Sequence, residues 1–213
     1  TLALAASGIP LLSRETAAAP VTKVKTPETL VKTLYDTFTE KQKQAVCFDW
    51  NYVDKERGLL RTRLENNWKI TKPSIKSGFF SAEQQALIRG IFEGMTHPGW
   101  RKRWDQQLKD DIGGFGRNQS IAVFGQPGTK QFEFVLASRH MTLRCDGNSA
   151  DHVAFGGPIL YAHEGEAIFE EPNHPSNVFW HQALAANRLY DMFNGRQRTQ
   201  ALVTRGMPSE ELV

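Results

Sequence analysis

Residues 138–158 read SRHMTLRCDGNSADHVAFGGP, the densest concentration of chemically useful side chains in the chain. Side chains of an extended strand alternate between the two faces of a sheet. Alternation predicts His140, Thr142 and Arg144 on one face, with Met141, Leu143 and Cys145 on the other. The second set makes an ordinary core face. The first sets an imidazole, a hydroxyl and a guanidinium side by side on a rigid element, which is how a binding or catalytic site is built. In that site His140 is the acid–base group or ligand contact. Thr142 orients it or binds substrate, and Arg144 holds an anionic group. Arg139 adds a second guanidinium able to grip a carboxylate or phosphate through a bidentate fork. Gly156 and Gly157 either let the backbone approach a ligand closely or form a bulge.

Histidine supplies a rival chemistry. Five of the six histidines (His140, His152, His163, His174 and His181) fall between positions 140 and 181. Neutral imidazole is the commonest transition-metal ligand. His140, His152, His163 and Asp146 are therefore the candidate ligands for a divalent transition metal. Against this, the chain has no HxH, HExxH or Cys/His zinc spacing. Surface or hydrogen-bonded histidines are the plain alternative. His174 and His181 share a helix face only if both are helical, and Pro175 argues against that. No G-x-S-x-G elbow is present, so Thr142 beside His140 is the remaining nucleophile pair.

Two glycine-rich stretches are set aside. Gly125-Gln126-Pro127-Gly128-Thr129-Lys130 lacks phosphate-loop spacing and leads into a strand, so it reads as a hairpin turn. Gly113-Gly114-Phe115-Gly116 lacks the third glycine of a dinucleotide fingerprint and reads as a helix end.

Helices and strands must position these groups. A short pattern recurs three times: Phe38-Thr39-Glu40-Lys41-Gln42, Phe80-Ser81-Ala82-Glu83-Gln84 and Phe193-Asn194-Gly195-Arg196-Gln197. Each pairs a short polar residue with Gln three residues later, the chemistry of a capping box that opens a helix. Leu-Tyr-Asp precedes the first and third, so each of those closes one helix and opens the next. Thr26 and Pro27 open a helix to about Thr37. Leu87, Ile88, Ile91, Phe92 and Met95 stripe another, and Trp100, Trp104 and Leu108 a third. Apolar positions from Val178 to Phe193 predict a long helix after Pro175. Strands are expected over 120–124, 131–137, 141–145 and 159–163, with 59–64 as a further one. The expected architecture is α+β, a small antiparallel sheet flanked by amphipathic helices.

Composition narrows the partners. Net charge is +3, too small and scattered for a nucleic-acid surface, and Arg101-Lys102-Arg103 reads as a solvated helix face. No apolar run reaches the ~20 residues that cross a bilayer. The opening TLALAASGIPLLSRETAAAP resembles the end of an export signal with a small-residue cleavage site, or a disordered Ala-rich leader. Residues 1–23 are read as that leader. Residues 24–213 are read as one domain whose last helix stops short, exported to the periplasm or outside the cell. In that compartment Cys47 and Cys145 either pair or stay as two buried free thiols.

The Gly125-Gln126-Pro127 turn, the aromatic strand Phe132 to Leu136 and the strand Ser138-Arg139-His140-Met141-Thr142-Leu143-Arg144 together resemble the bacterial DUF3500 family, a domain of unknown function. That family typically shows a Gly-His-His-Leu-Ser-Leu-Asn-like strand. Here only the second His is kept, as His140, with Thr142 in place of Ser and Arg144 in place of Asn. The helix start at Ser81 to Gln85 is similar as well. The resemblance implies a site on this strand and names no reaction. Three readings follow: a small-molecule-binding protein with an anionic ligand, which is also an enzyme if His140 acts as acid–base group; a metal-dependent hydrolase or redox enzyme; or a non-catalytic interaction domain whose strand face is a buried polar network.

Overall fold

The computed structural model describes residues 26–147, 159–162, 174 and 176–202. The expected leader, His152, Gly156, Gly157, His163 and the last predicted helix lie outside the described residues.

Helix starts follow local chemistry. Helix α1 (Pro27–Asp36) opens with Pro at its first position. All three predicted capping boxes form, at the starts of α2 (Glu40–Val46), α3 (Ala82–Met95) and a C-terminal helix (Gly195–Ala201). In each, the Ncap side chain accepts from the N3 amide and the N3 Gln accepts from the Ncap amide. Helix α4 (Arg101–Ile112) follows a 3₁₀ turn at Pro98–Trp100 and ends on Gly113 at φ 73°. That left-handed C-cap suits glycine. Helix α5 (Trp180–Asp191) precedes the C-terminal one, α6, and none of its residues is buried.

The main sheet has five strands in the order β1-β4-β5-β6-β7. Strands β4 (Ser120–Gly125), β5 (Phe132–Ser138) and β6 (Met141–Asp146) form an antiparallel meander. Two-residue strands complete the edges: β7 (Leu160–Tyr161) pairs antiparallel with β6, and β1 (Cys47–Phe48) pairs parallel with β4. The sheet is thus mixed. Two residues directly after α2 carry no strand periodicity, and the parallel pairing arises from where α2 delivers the chain. The further strand expected over 59–64 is different in kind. Val53–Asp54 (β2) and Gly58–Leu59 (β3) make a separate ribbon, and Leu60–Thr62 is a 3₁₀ turn. The Asp54 carboxylate accepts the Glu56 and Arg57 amides, both at 3.0 Å, and so tightens the connection into a turn.

The two faces of the sheet are covered unequally. Phe132, Phe134, Leu136, Met141, Leu143 and Cys145 face the helices and pack with Leu34, Ile88, Phe92, Trp104 and Leu108. Val135, Ala137, Ala122 and Phe124 face the other way, onto Leu60, Trp68 and Ile70. Among the described residues no helix covers this second face; the irregular segment 57–72 does.

Sheet register decides the cysteine question. Cys47 pairs with Val123, Val123 with Phe134, and Phe134 with Cys145. The cysteines stand in one row, three strand spacings or about 14 Å apart. A disulfide needs Cα atoms within roughly 7 Å, and both thiols are free. Burial pushes the Cys47 thiol up to about 12, and raises Cys145 as well.

Candidate functional site

The tight turn Arg139-His140 sets the register that places every candidate on β6, because Ser138 pairs with Met141 across it. His140 sits in this turn at φ 55°, the one non-glycine positive φ among the described residues. A left-handed residue does not continue the alternation of the strand after it. The imidazole accordingly turns to the helix face, where Nδ1 lies 3.0 Å from Asp111 Oδ2 on α4. Gln107 Nε2 donates to the same carboxylate oxygen at 2.6 Å and to the Ala162 carbonyl at 3.1 Å. The His140 amide donates to the Asn66 carbonyl and its own carbonyl accepts from Ala162. His140 therefore ties together α4, the β7 edge and the 57–72 segment, and it is 5 % exposed.

Thr142 and Arg144 lie on the opposite face. Thr142 Oγ1 accepts from Trp68 Nε1 at 2.9 Å. Arg144, 1 % exposed, donates to Glu133 Oε1 at 3.0 Å and to the carbonyls of Arg61 and Arg63. Arg61 donates to the other Glu133 oxygen at 3.1 Å, and its guanidinium stacks on Trp50, 3.9 Å from the ring centroid. Burial pushes the Glu133 carboxyl up from its ordinary value, and the two guanidinium partners oppose that shift. Elsewhere on this face Ser120 Oγ accepts the Ile70 amide and Thr71 Oγ1 donates to the Ile121 carbonyl. An irregular segment laid over a sheet brings backbone polar groups that need partners. Arg144 and Ser120 supply them, and Thr142 takes the Trp68 indole N–H.

The predicted His140/Thr142/Arg144 face is therefore divided. Thr142 cannot serve His140 as a nucleophile, because the sheet lies between them. Arg144 is committed to Glu133 and two carbonyls. Arg139 forms an isolated bridge with Asn67, again holding the covering segment. The predicted metal set also divides: His140 and Asp146 are six strand residues, about 20 Å, apart. Among the described residues no three His, Cys, Asp or Glu side chains gather to hold an ion. Asp146 faces Glu133 across the strand pair, and its Oδ2 is buried with no hydrogen-bond partner among the described residues. His174 precedes α5, so it shares no helix face with His181. Arg101 to Arg103 lie on the first turn of α4; only Lys102 is plainly solvated, since Arg101 is half-buried and the exposed Arg103 donates to the Val178 carbonyl.

An open pocket lies on the helix side instead. It has a volume of about 210 Å³, between the end of α3, the 3₁₀ turn, α4 and the β6–β7 edge. Trp100, Trp104 and Tyr161 line it with their rings, together with Met95, Leu143 and Ile159. Trp104 meets Tyr161 edge-on, with centroids 5.2 Å apart. Thr96, His97 and Gln182 supply polar side chains, and Arg144 also touches the pocket although its guanidinium is held by Glu133 on the other face. His97 Nδ1 accepts from the Gly99 amide at 3.1 Å, which leaves the neutral ring with its proton on Nε2. Tyr161 Oη accepts from Gln182 at 2.9 Å and retains its own O–H to donate. His181 lies 4.4 Å from the Trp100 ring centroid and Arg103 lies over the same ring at 5.4 Å. Arg103 also holds His181 Nδ1 at 2.7 Å.

Sequence reasoning missed this pocket. Trp100 and Trp104 were legible as a helical stripe, but the stripe spacing matched core residues equally well. Tyr161 joins them only through pairing with Met141. His97, the histidine outside the cluster, carried no spacing signal. Glu133 was legible in part: it alternates with Phe132 and Phe134, so its carboxylate had to face away from them.

No family model, no curated protein and no solved structure matches this chain.

Proposed function

We propose that this chain is a small-molecule-binding protein whose ligand occupies the Trp100/Trp104/Tyr161 pocket. The observation that supports this most is that three aromatic side chains line one pocket together with the polar residues Thr96, His97 and Gln182. Aromatic walls favour a flat, apolar ligand body through stacking and burial. The volume is what about seven waters fill in the liquid, enough for one substituted ring. The donors available there are His97 Nε2–H and Tyr161 O–H. They call for an acceptor on the ligand, and the Arg103 charge over the Trp100 ring favours a carboxylate. The anionic ligand expected from sequence is retained, but its anchor moves from Arg144 to these donors. Arg144, Thr142 and His140 act as positioning residues: they hold β6, whose Leu143 lines the pocket. Kinship with the DUF3500 family and export from the cytoplasm belong to the same proposal, on the residues given for each.

Tryptophan fluorescence titration with benzoate, phenylacetate and indole-3-acetate tests the reading. Saturable quenching is expected for at least one of them. Trp104→Ala should weaken binding by about tenfold or more, as loss of an aromatic wall does. His97→Gln should weaken a carboxylate more than the matching neutral alcohol. Quenching that is unsaturable, or equal in Trp104→Ala, would defeat the proposal.

A further inference from the structure

The three capping boxes are chemically alike but not equally occupied. The first two are locked together. Gln42 Oε1 closes its own box by accepting from the Thr39 amide at 3.0 Å. Its Nε2 then reaches across to the Phe79 carbonyl at 2.8 Å and to Gln84 Oε1 at 2.9 Å. Gln84 reciprocates. Its Oε1 accepts from the Ser81 amide at 3.0 Å, and its Nε2 donates to the Thr37 carbonyl and to Gln42 Oε1, both at 3.1 Å. Thr37 and Phe79 each stand two residues before their own Ncap. The exchange is two-fold symmetric in its chemistry, and Phe38 and Phe80 pack beside it with centroids 6.1 Å apart. A surface that pairs in this way with its near-copy is self-complementary, the property an isologous interface needs.

The third box belongs to the same kind of unit as the first. Tyr190 and Phe193 meet edge-on at 6.3 Å, as Tyr35 and Phe38 do at 6.5 Å. Arg198 lies 5.4 Å over Tyr190, as Lys43 lies 5.3 Å over Tyr35. Gln197 Oε1 accepts from the Asn194 amide at 3.0 Å. Here the likeness stops. Among the described residues nothing accepts from Gln197 Nε2, and Gln197 is exposed where Gln42 is buried. Leu189 is 55 % exposed where its counterpart Leu34 is 0 %; Met192, two residues before the Ncap, is exposed, as its counterpart Thr37 is in the docked unit.

We propose that the third box pairs with the third box of a second copy of this chain, giving a two-fold dimer through α5 and α6. In it Gln197 Nε2 of each copy donates to Gln197 Oε1 and to the Met192 carbonyl of the other, repeating the Gln42–Gln84 exchange. The first two boxes occupy each other, so the complementary surface left for the third is the third box of another molecule. Leu189 is covered as the copies close, as Leu34 is in the first unit. Arg196 stands where Lys41 stands in the first unit, at a position that stays exposed in the interlock.

Sedimentation velocity of the full chain over a range of concentrations tests this. A monomer–dimer equilibrium is expected, with a dissociation constant on the order of 10–100 μM for so small an interface. Gln197→Glu keeps the acceptor that closes the capping box but replaces the donor with a second acceptor. It should leave helix content unchanged and abolish the dimer. Leu189→Asp should do the same. A wild-type chain that stays monomeric at about 1 mM, roughly ten times the upper end of that range, overturns the proposal. So does a dimer that persists in both variants, because its contact then lies elsewhere.

Discussion

The helix pairs α1–α2 and α5–α6 carry nearly the same side-chain contacts and live in opposite environments. Each has a Leu-Tyr-Asp helix end, a Tyr–Phe edge contact, a cation over the Tyr ring and a closed capping box. In α1–α2 the box meets a second box, and Leu34, Phe38 and Val46 go into the core. In α5–α6 no residue of either helix is buried. The comparison separates what a capping motif does alone from what it does when docked. Alone it starts a helix. Docked, the same glutamine also fastens two helices together and seals a core.

The largest expected difference is in thiol reactivity. Cys47 caps the end of α2, and Leu202 holds the equivalent place after α6. A Leu202→Cys variant carries both thiols in one molecule. Burial holds Cys47 near 12, so it stays protonated through neutral pH, whereas an exposed thiol titrates near 8.5. At pH 8 a disulfide reagent should label position 202 about a thousandfold faster than Cys47. Raising the pH from 7 to 9 should accelerate labelling at 202 until it levels off. Labelling at Cys47 should keep rising with pH over the same range. Comparable rates at the two positions would mean that the docked unit opens as easily as the free one.

Core burial gives the next contrast. Leu34→Ala should destabilise the fold by about 3 kcal/mol, the range of a large-to-small core change. Leu189→Ala should stay within roughly 0.5 kcal/mol for the monomer. Urea denaturation at low protein concentration checks both. Gln42→Ala follows, at about 2 kcal/mol, because it leaves the Gln84 amide and the Phe79 carbonyl without their buried partner. Gln197→Ala at the matched position should cost less than about 1 kcal/mol, the value of its capping contact. A similar loss at both glutamines would show that capping, and not docking, carries the energy at Gln42.

The smallest effects should be equal, and that equality is the control. Thr39→Ala and Asn194→Ala each remove an Ncap acceptor, which is worth about 1 kcal/mol of local helix stability. Hydrogen exchange at the first-turn amides of α2 and α6 should report a similar local change at both sites. If only Thr39→Ala has an effect, the third box is not closed in solution.

Local chemistry was legible from residue types. The three boxes, the Pro27 start, the Gly113 helix end and the β4–β5 turn at Gly125 all depend on contacts within four or five residues. The alternation of Phe132, Phe134 and Leu136 put the three on one face of β5, and the structure packs that face on the helices. The site was legible only as a region. Alternation was extended one residue too far, across a turn residue at φ 55°, and so His140 was placed on the wrong face. The pocket was not legible, because its walls come from α4 and β7, some 60 residues apart, and only pairing with Met141 brings Tyr161 to Trp104.

By itself the sequence determined the α+β class, the helix starts and the strands of the meander, because propensity, capping and alternation act over a few residues. Tertiary structure alone decided the rest. It turned Arg144 from a candidate anion clamp into the anchor of a covering segment, since register set Glu133 within its reach. It kept Cys47 and Cys145 apart by placing two strands between them. It buried one capping glutamine and left its twin in solvent. These outcomes depend on which distant surfaces meet, and the local chemistry of either partner is the same before and after they do.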